Sequence, residues 1–298
     1  MKRFLSCCRK AVIAGLLPLL LTGIAGPSHA QQAFSSPDAA ATAFVDALAT
    51  NDPDALGTVL GADWRRYIPT DGVEMDDVYR FLAAWSKSHR ILTDGATQAH
   101  LAVGPDDWTL PIPIVKRDEA WRFDTKAGAD EIRTRRIGRN ELAAMKAALA
   151  YYDAQKDYAL ADRNGDGVLE YAQRIVSTPG TKDGLYWAAL AGEQESPLGP
   201  LFGDNRPGDD YHGYYFRILK AQGPDARGGA YDYRIKGRMV SGFALVAWPV
   251  KYGETGVMTF MVSHDGKLYE RDLGPGTSAA ARAMTRFDPG PGWQEVTP

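Results

Sequence analysis

Both cysteines, Cys7 and Cys8, stand within the first ten residues. Everything after them must therefore fold without a disulfide framework, thiolate chemistry or a cysteine metal cage. Stability then rests on a hydrophobic core. The remaining chain is long enough to build one large domain or two ordinary ones.

The N-terminus carries an address. Lys2, Arg3, Arg9 and Lys10 form a basic segment, and residues 11–26 are almost wholly apolar or small. Leu16, Leu17, Leu19, Leu20 and Leu21 lie at the centre of that run, and Ser28-His29-Ala30 offers small residues where a signal peptidase reads. The pattern predicts a secretory signal peptide over 1–30, cleavage after Ala30 and a periplasmic mature protein. An uncleaved N-terminal anchor is the rival reading. The run is short and broken by Pro18, whereas a membrane span needs about 20 apolar residues. No later stretch comes close, so no transmembrane segment is expected after signal removal. Cys7 and Cys8 precede the apolar run and cannot serve as lipid acceptors after cleavage.

The whole chain has a formal net charge of −3, and its signal segment holds four basic and no acidic residues. The mature protein is thus more acidic still. No basic stripe suggests a nucleic-acid partner.

Hydrophobic periodicity divides the chain into two parts. Ser36-Pro37 and Asp52-Pro53 are helix starts, with an N-cap followed by proline at the first helical position. Phe44, Val45 and Leu48 continue the first helix; Leu56, Val59 and Leu60 continue the second, with Gly61 as its stop. A third helix holds Val78, Phe81, Leu82 and Trp85. After Thr93-Asp94-Gly95 the pattern changes to strands at 99–103, 108–115 and 120–123. Pro111 and Pro113 make the second of these an edge or bulged strand. A domain over 31–135 with three helices and a small antiparallel sheet is predicted, a cone like the nuclear-transport-factor-like folds. That likeness licenses no function.

The second predicted domain covers 136–298. A long helix is expected from about Asn140 to Leu160, with Leu142, Met145, Leu149 and Tyr152 on one face. The polar stretch 124–139 should hold the boundary. Strands follow at 211–219, 231–235, 243–250, 257–262 and 268–273, and His264-Asp265-Gly266 marks a hairpin turn. A long helix on an antiparallel β-meander resembles the globular half of a pilin-like subunit. The apolar N-terminal spine of a pilin is missing. The fold class is α+β.

Several strings occur together: Trp121-Arg122-Phe123-Asp124-Thr125, Arg135-Arg136-Ile137-Gly138-Arg139-Asn140-Glu141-Leu142, Glu170-Tyr171-Ala172 and Asp183-Gly184-Leu185-Tyr186-Trp187. Ser196-Pro197-Leu198-Gly199-Pro200, Tyr211-His212-Gly213-Tyr214-Tyr215-Phe216 and the run from Gly242 through Trp248-Pro249 to Thr259-Phe260 join them. In this combination the chain resembles a family of exported bacterial proteins catalogued as domain of unknown function 2950. The resemblance implies an envelope location. It implies no activity and brings no catalytic residues.

One local pattern points to a ligand. Asp162, Asn164 and Asp166 place side-chain oxygens at positions 1, 3 and 5 of a calcium-type loop, and Gly167 stands at position 6. The carbonyl of Val168 falls at position 7 and Glu170 at position 9. Position 12, normally glutamate, is Gln173, which offers one neutral oxygen. Calcium is the one cofactor for which the sequence offers a site. The competing reading is a polar helix-ending turn in which Asp and Asn satisfy backbone N–H groups.

Other chemistry is thinly represented. Four histidines follow the signal: His89, His100, His212 and His264. No HExxH pair, nucleophile elbow, Walker loop or dinucleotide fingerprint occurs. His212, beside Asp209 and Asp210, is a candidate for acid–base work and equally a strand-edge residue. His264 is expected to face solvent. Asp183, Glu193, Glu195 and Asp210 are loop acids whose convergence only three dimensions decide. Tyrosine and tryptophan concentrate in the second half, as core or as a binding face. Three readings follow. One is a non-enzymatic envelope protein that binds or supports a protein or polymer partner, stabilised by calcium if the loop holds it. The second is a periplasmic hydrolase of an envelope polymer. The third is a small-ligand protein with a pocket near Trp85 and Trp108.

Overall fold

The computed structural model describes residues 30–70, 73–189, 192, 194–199 and 210–298. The expected signal segment thus lies outside the described residues, save Ala30. Among the described residues, no helix is long and apolar enough to cross a membrane.

The helix starts are capped as their sequences require. Ser36 Oγ accepts from Ala39 N at 3.1 Å to begin α1 (Pro37–Ala49). Asp52 accepts from Asp54 N and Ala55 N to begin α2 (Pro53–Leu60), which ends at Gly61 with φ +100°. Each such cap contributes about 1 kcal/mol. A one-turn helix, α3 (Trp64–Tyr67), precedes α4 (Met75–Lys87).

A small antiparallel sheet follows: β1 (His89–Asp94), β2 (Gln98–Val103), β3 (Trp108–Thr109), β4 (Ile114–Arg117) and β5 (Ala120–Phe123). Its order is β1-β2-β4-β5, with β3 also against β2. The single strand expected over 108–115 is therefore two. Pro111 and Pro113 have no N–H for the ladder, so pairing stops after Thr109 and resumes at Ile114. β1 was not legible in the sequence; its polar ends are exposed and only Ile91 and Leu92 are half-buried. Phe34, Phe44, Val59, Trp64, Leu101 and Ile114 are among the residues of the first core.

The long helix is longer than expected. α5 spans Thr125–Tyr158, 34 residues and about 50 Å. It begins at Asp124, whose Oδ1 accepts from Ala127 N at 3.0 Å. The polar stretch 124–139 is thus helix. Its first turns pack on the first sheet, so closely at Gly128 that a Cβ there would stand 2.9 Å from Ile112 Cγ1. Arg135 donates to Thr109 O (2.6 Å) and to Thr109 Oγ1 (2.9 Å). From Asn140 the partners change. Asn140 Nδ2 donates to Thr255 O at 2.8 Å, and Glu141 Oε1 accepts from Val257 N and Met258 N.

The buried face of α5 is also turned from the expected one. Ala144, Ala148, Tyr151, Gln155 and Tyr158 are buried, Met145, Leu149 and Tyr152 are half-buried, and Leu142 is exposed. Alanines let the helix axis approach the sheet closely, and the larger side chains flank the contact.

That sheet is antiparallel, with order β14-β13-β12-β11-β6. Its strands are β6 (Tyr214–Leu219), β11 (Ala244–Pro249), β12 (Met258–Ser263), β13 (Leu268–Asp272) and β14 (Gln294–Val296). Between β6 and β11 lie two-residue strands: β7 (Ala221–Gln222), β8 (Tyr231–Asp232), β9 (Arg234–Ile235) and β10 (Arg238–Met239). α6 (Thr277–Ala283) completes the unit. β11 is buried at all six residues, with both α5 and α6 against it. The molecule is α+β: N-terminal helices and a small antiparallel sheet, one long helix, then a larger antiparallel sheet.

Candidate functional site

The β12–β13 turn is where polar chemistry gathers. Gly266 N donates to Ser263 O at 2.9 Å and closes the turn. His264, expected in solvent, instead sits among the rings of Tyr231, Tyr233 and Phe243, with the Tyr233 centroid 5.4 Å away. The reason is tertiary: the short strand β8 and the start of β11 fold over the turn. Gly242 makes the packing possible. Its φ is +150°, and a Cβ there would lie 2.8 Å from both His264 Nδ1 and Tyr233 Cδ1. His264 Nδ1 is buried without a hydrogen-bond partner, and Nε2 lies 3.3 Å from the Tyr231 hydroxyl.

A cleft of about 370 Å3 opens beside this cluster. Tyr231, Ser263, His264, Asp265 and Phe287 line it, with Gln222 and the 227–228 loop opposite. That is the small end of the roughly 300–1,000 Å3 range of ligand pockets. Gln222 is buried and holds the loop in place. Its Nε2 donates to Arg227 O (2.8 Å) and Gly229 O (2.7 Å), and its Oε1 accepts from Tyr233 OH (3.1 Å). Burial, and then the negative charge of Asp265, push the Tyr231 phenol up from its ordinary range.

Ser263, His264 and Asp265 are the three residue types of a hydrolase triad, but they are not wired as one. Ser263 Oγ donates to Asp265 Oδ1 at 2.7 Å, and the histidine faces Tyr231 instead. A triad needs the base on the nucleophile and the carboxylate on the base. Here the hydroxyl is held by the acid, and among the described residues the imidazole makes no hydrogen bond to either.

The residues singled out from sequence lie elsewhere. Asp162 Oδ1 accepts from Asn164 N and Gly165 N, and Oδ2 accepts from Gly167 N at 2.7 Å. These backbone donors, Gly167 foremost, hold the Asp162 carboxyl below its usual range. Asn164 Nδ2 donates to Glu170 Oε1 at 2.8 Å, and Asp166 Oδ1 accepts from Val168 N. Arg238 pairs with Asp166 Oδ2 at 2.7 Å. Gln173 donates its amide to Gly237 O. Burial, then the Asp166 charge, raise the Glu170 carboxyl. Among the described residues, no group of three or more His, Cys, Asp or Glu is gathered for a metal.

His212 is exposed at a turn with φ +49°, its ring 4.3 Å from that of Tyr211. Asp210 accepts from Gly213 N in the same turn. Asp183 fastens Thr178 and Thr181, and Glu195 is exposed. Asp209 and Glu193 lie outside the described residues. Trp85 stacks on exposed His89 at 3.6 Å, and Trp108 is half exposed. The aromatic second half is largely core: Tyr151, Tyr158, Tyr214, Tyr233 and Trp248 are all buried. Sequence reasoning missed the cleft because its members come from four separate segments. The one available signal was polar side chains on both sides of an Asp-Gly turn.

No curated protein and no solved structure matches the chain. A family model does, over residues 31–296, and the chain belongs to that family, described as Protein of unknown function (DUF2950).

Proposed function

We propose that this chain is an exported periplasmic protein that binds a ligand without transforming it, and that the cleft at the β12–β13 turn is its binding site. The observation that carries the reading is the wiring around Asp265. The cleft is walled by aromatic and polar side chains and, among the described residues, carries one carboxylate. Its serine is bonded to that carboxylate and not to histidine. Such a site can orient a small polar molecule, but it has neither an activated nucleophile nor the two acids of a glycosidase. A buried glutamine that pins the opposing loop favours recognition, because the loop need not be ordered on binding. Export rests on the basic, apolar and small-residue pattern of residues 1–30. The division into units 31–135 and 136–298 belongs to the same reading. The 162–170 loop enters it as a helix-ending turn held by Arg238, with calcium as the rival occupant.

The test is a thermal melt of residues 31–298 against pools of neutral sugars, organic acids, amines and amino acids. A ligand at 100 times its Kd adds about 2.7 kcal/mol. A pool that raises the midpoint, with the rise lost in Tyr231→Ala, supports the reading. Turnover of any pool member would place the protein among enzymes, and silence from every pool would remove the cleft as a site. Expression of the full chain, followed by mass measurement of the periplasmic product, checks for an N-terminus at Gln31.

A further inference from the structure

We propose that the cleft recognises a small zwitterion, a free amino acid, with its carboxylate on Arg227 and its ammonium on Asp265. This rests on the cleft being the binding site and adds the class of ligand. Arg227 is exposed at one wall of the cleft and Asp265 half-buried at another. The two charges do not pair with each other, and the Arg227 guanidinium has no hydrogen bond, ion pair or ring contact among the described residues. Asp265 Oδ1 accepts from Ser263 Oγ and Lys267 N, which leaves Oδ2 without a hydrogen bond among the described residues.

Two opposite charges that share so small a cleft without meeting are complementary to a molecule carrying both charges close together. Arginine suits the carboxylate, since its planar fork can donate two parallel hydrogen bonds. The backbone that carries Arg227 is also held in place, while its side chain is free to swing onto a ligand. Gln222 holds the carbonyls of Arg227 and Gly229, and Asp288 Oδ1 accepts from Asp225 N in the same loop. The half-buried Tyr231 ring, which also lines the cleft, gives a side chain an apolar surface. A ligand with one charge would make only one of the two charge-assisted contacts and bind correspondingly more weakly.

The experiment uses residues 31–298 and the twenty standard L-amino acids at millimolar concentration, read by thermal melt and then by calorimetric titration. Each binder is compared with its carboxamide, which lacks the carboxylate, and its N-acetyl form, which lacks the ammonium. At least one amino acid should bind, and either block should weaken it by about tenfold or more. Arg227→Ala should weaken the parent but not its carboxamide. Asp265→Asn should weaken the parent but not its N-acetyl form, the pattern expected of two specific pairs. Both variants keep the fold contacts, since Arg227 has no side-chain partner and asparagine retains the oxygen that accepts from Ser263. Equal binding of blocked and parent forms overturns the proposal. So does binding of neutral sugars alone, although that outcome leaves the cleft as a ligand site. Binding of nothing in any pool overturns both.

Discussion

The imidazole of His264 lies with Nε2 3.3 Å from the Tyr231 hydroxyl and Nδ1 against Gly242 with no partner. One turn residue is thereby pinned between a tyrosine of the cleft wall and a glycine at the head of β11. The cleft depends on that glycine as much as on the residues that line it.

Gly242→Ala tests the dependence. The added methyl would stand 2.8 Å from His264 Nδ1 and Tyr233 Cδ1, at a φ of +150° that L-residues rarely adopt. Overpacking of this kind costs about 1–3 kcal/mol. Urea denaturation should show that loss, and ligand binding at the cleft should fall with it. Unchanged stability would mean that the turn has room to move.

Gln155 is fully buried and clamps a loop residue to the helix. Its Oε1 accepts from Ala172 N and its Nε2 donates to Ala172 O, both at 2.8 Å. Gln155→Leu would leave both groups unmatched, at about 1–3 kcal/mol for each. The expected outcome is a lower denaturation midpoint and faster amide exchange at Ala172. Gln155→Glu should recover only the bond to the N–H when ionised, since a carboxylate has no hydrogen to donate, and burial should favour its protonated form.

Glu141 joins α5 to the start of β12 by accepting at Oε1 from Val257 N (2.8 Å) and Met258 N (3.0 Å). Hydrogen bonds to a charged acceptor are worth about 1.5–3 kcal/mol. Glu141→Ala should therefore destabilise by about that much, while Glu141→Gln, which keeps an acceptor oxygen, should lose less. Equal losses in the two variants would show that the charge matters more than the bond.

Glu270 gives a pH signature. Burial, and then the charge of Glu141, raise its carboxyl above the ordinary value. The folded state therefore holds this proton more tightly than the unfolded chain. The charged form carries a penalty that is absent below the unfolded pKa and sets in as pH rises through the folded pKa. Glu270→Gln should raise the melting temperature at neutral pH and leave it unchanged at pH about 3, where both forms are neutral. A gain that is the same at both pH values would assign the effect to packing.

The 162–170 loop separates its two readings cleanly. Backbone N–H groups, Asn164 and Arg238 already use oxygens of Asp162, Asp166 and Glu170. The turn reading expects one melting temperature in excess chelator and in millimolar calcium. It also expects Arg238→Ala to lower that temperature slightly, since a pair this exposed is worth about 1 kcal/mol or less. A calcium-specific rise that disappears in Asp162→Ala would instead establish the metal site.

Local signals in the sequence were read where local physics is sufficient. Ser36, Asp52 and Gly61 set helix ends through caps and a left-handed backbone, and Pro111 and Pro113 interrupted a strand because they have no N–H to donate. The Asp265-Gly266 turn was legible for the same reason. Other features were hidden because they depend on partners far along the chain. The first turns of α5 look like a linker by composition; they are helix, with Gly128 meeting Ile112 and Arg135 meeting Thr109. The buried face of that helix followed alanines and not leucines, because close approach to the sheet outweighs side-chain size there.

By itself, then, the sequence determined the α+β order of elements and the family, and placed both cysteines ahead of the described residues. Periodicity, capping and composition act over a few residues and need no fold to be read. Only the tertiary structure decided the site. His264 moved from an expected solvent turn into a ring of aromatics, and His212 became a surface turn residue. The charges of Arg227 and Asp265 came to share one cleft, because the loop between β7 and β8 meets a turn far along the chain. Such meetings are set by register and packing between distant segments, which no local pattern encodes.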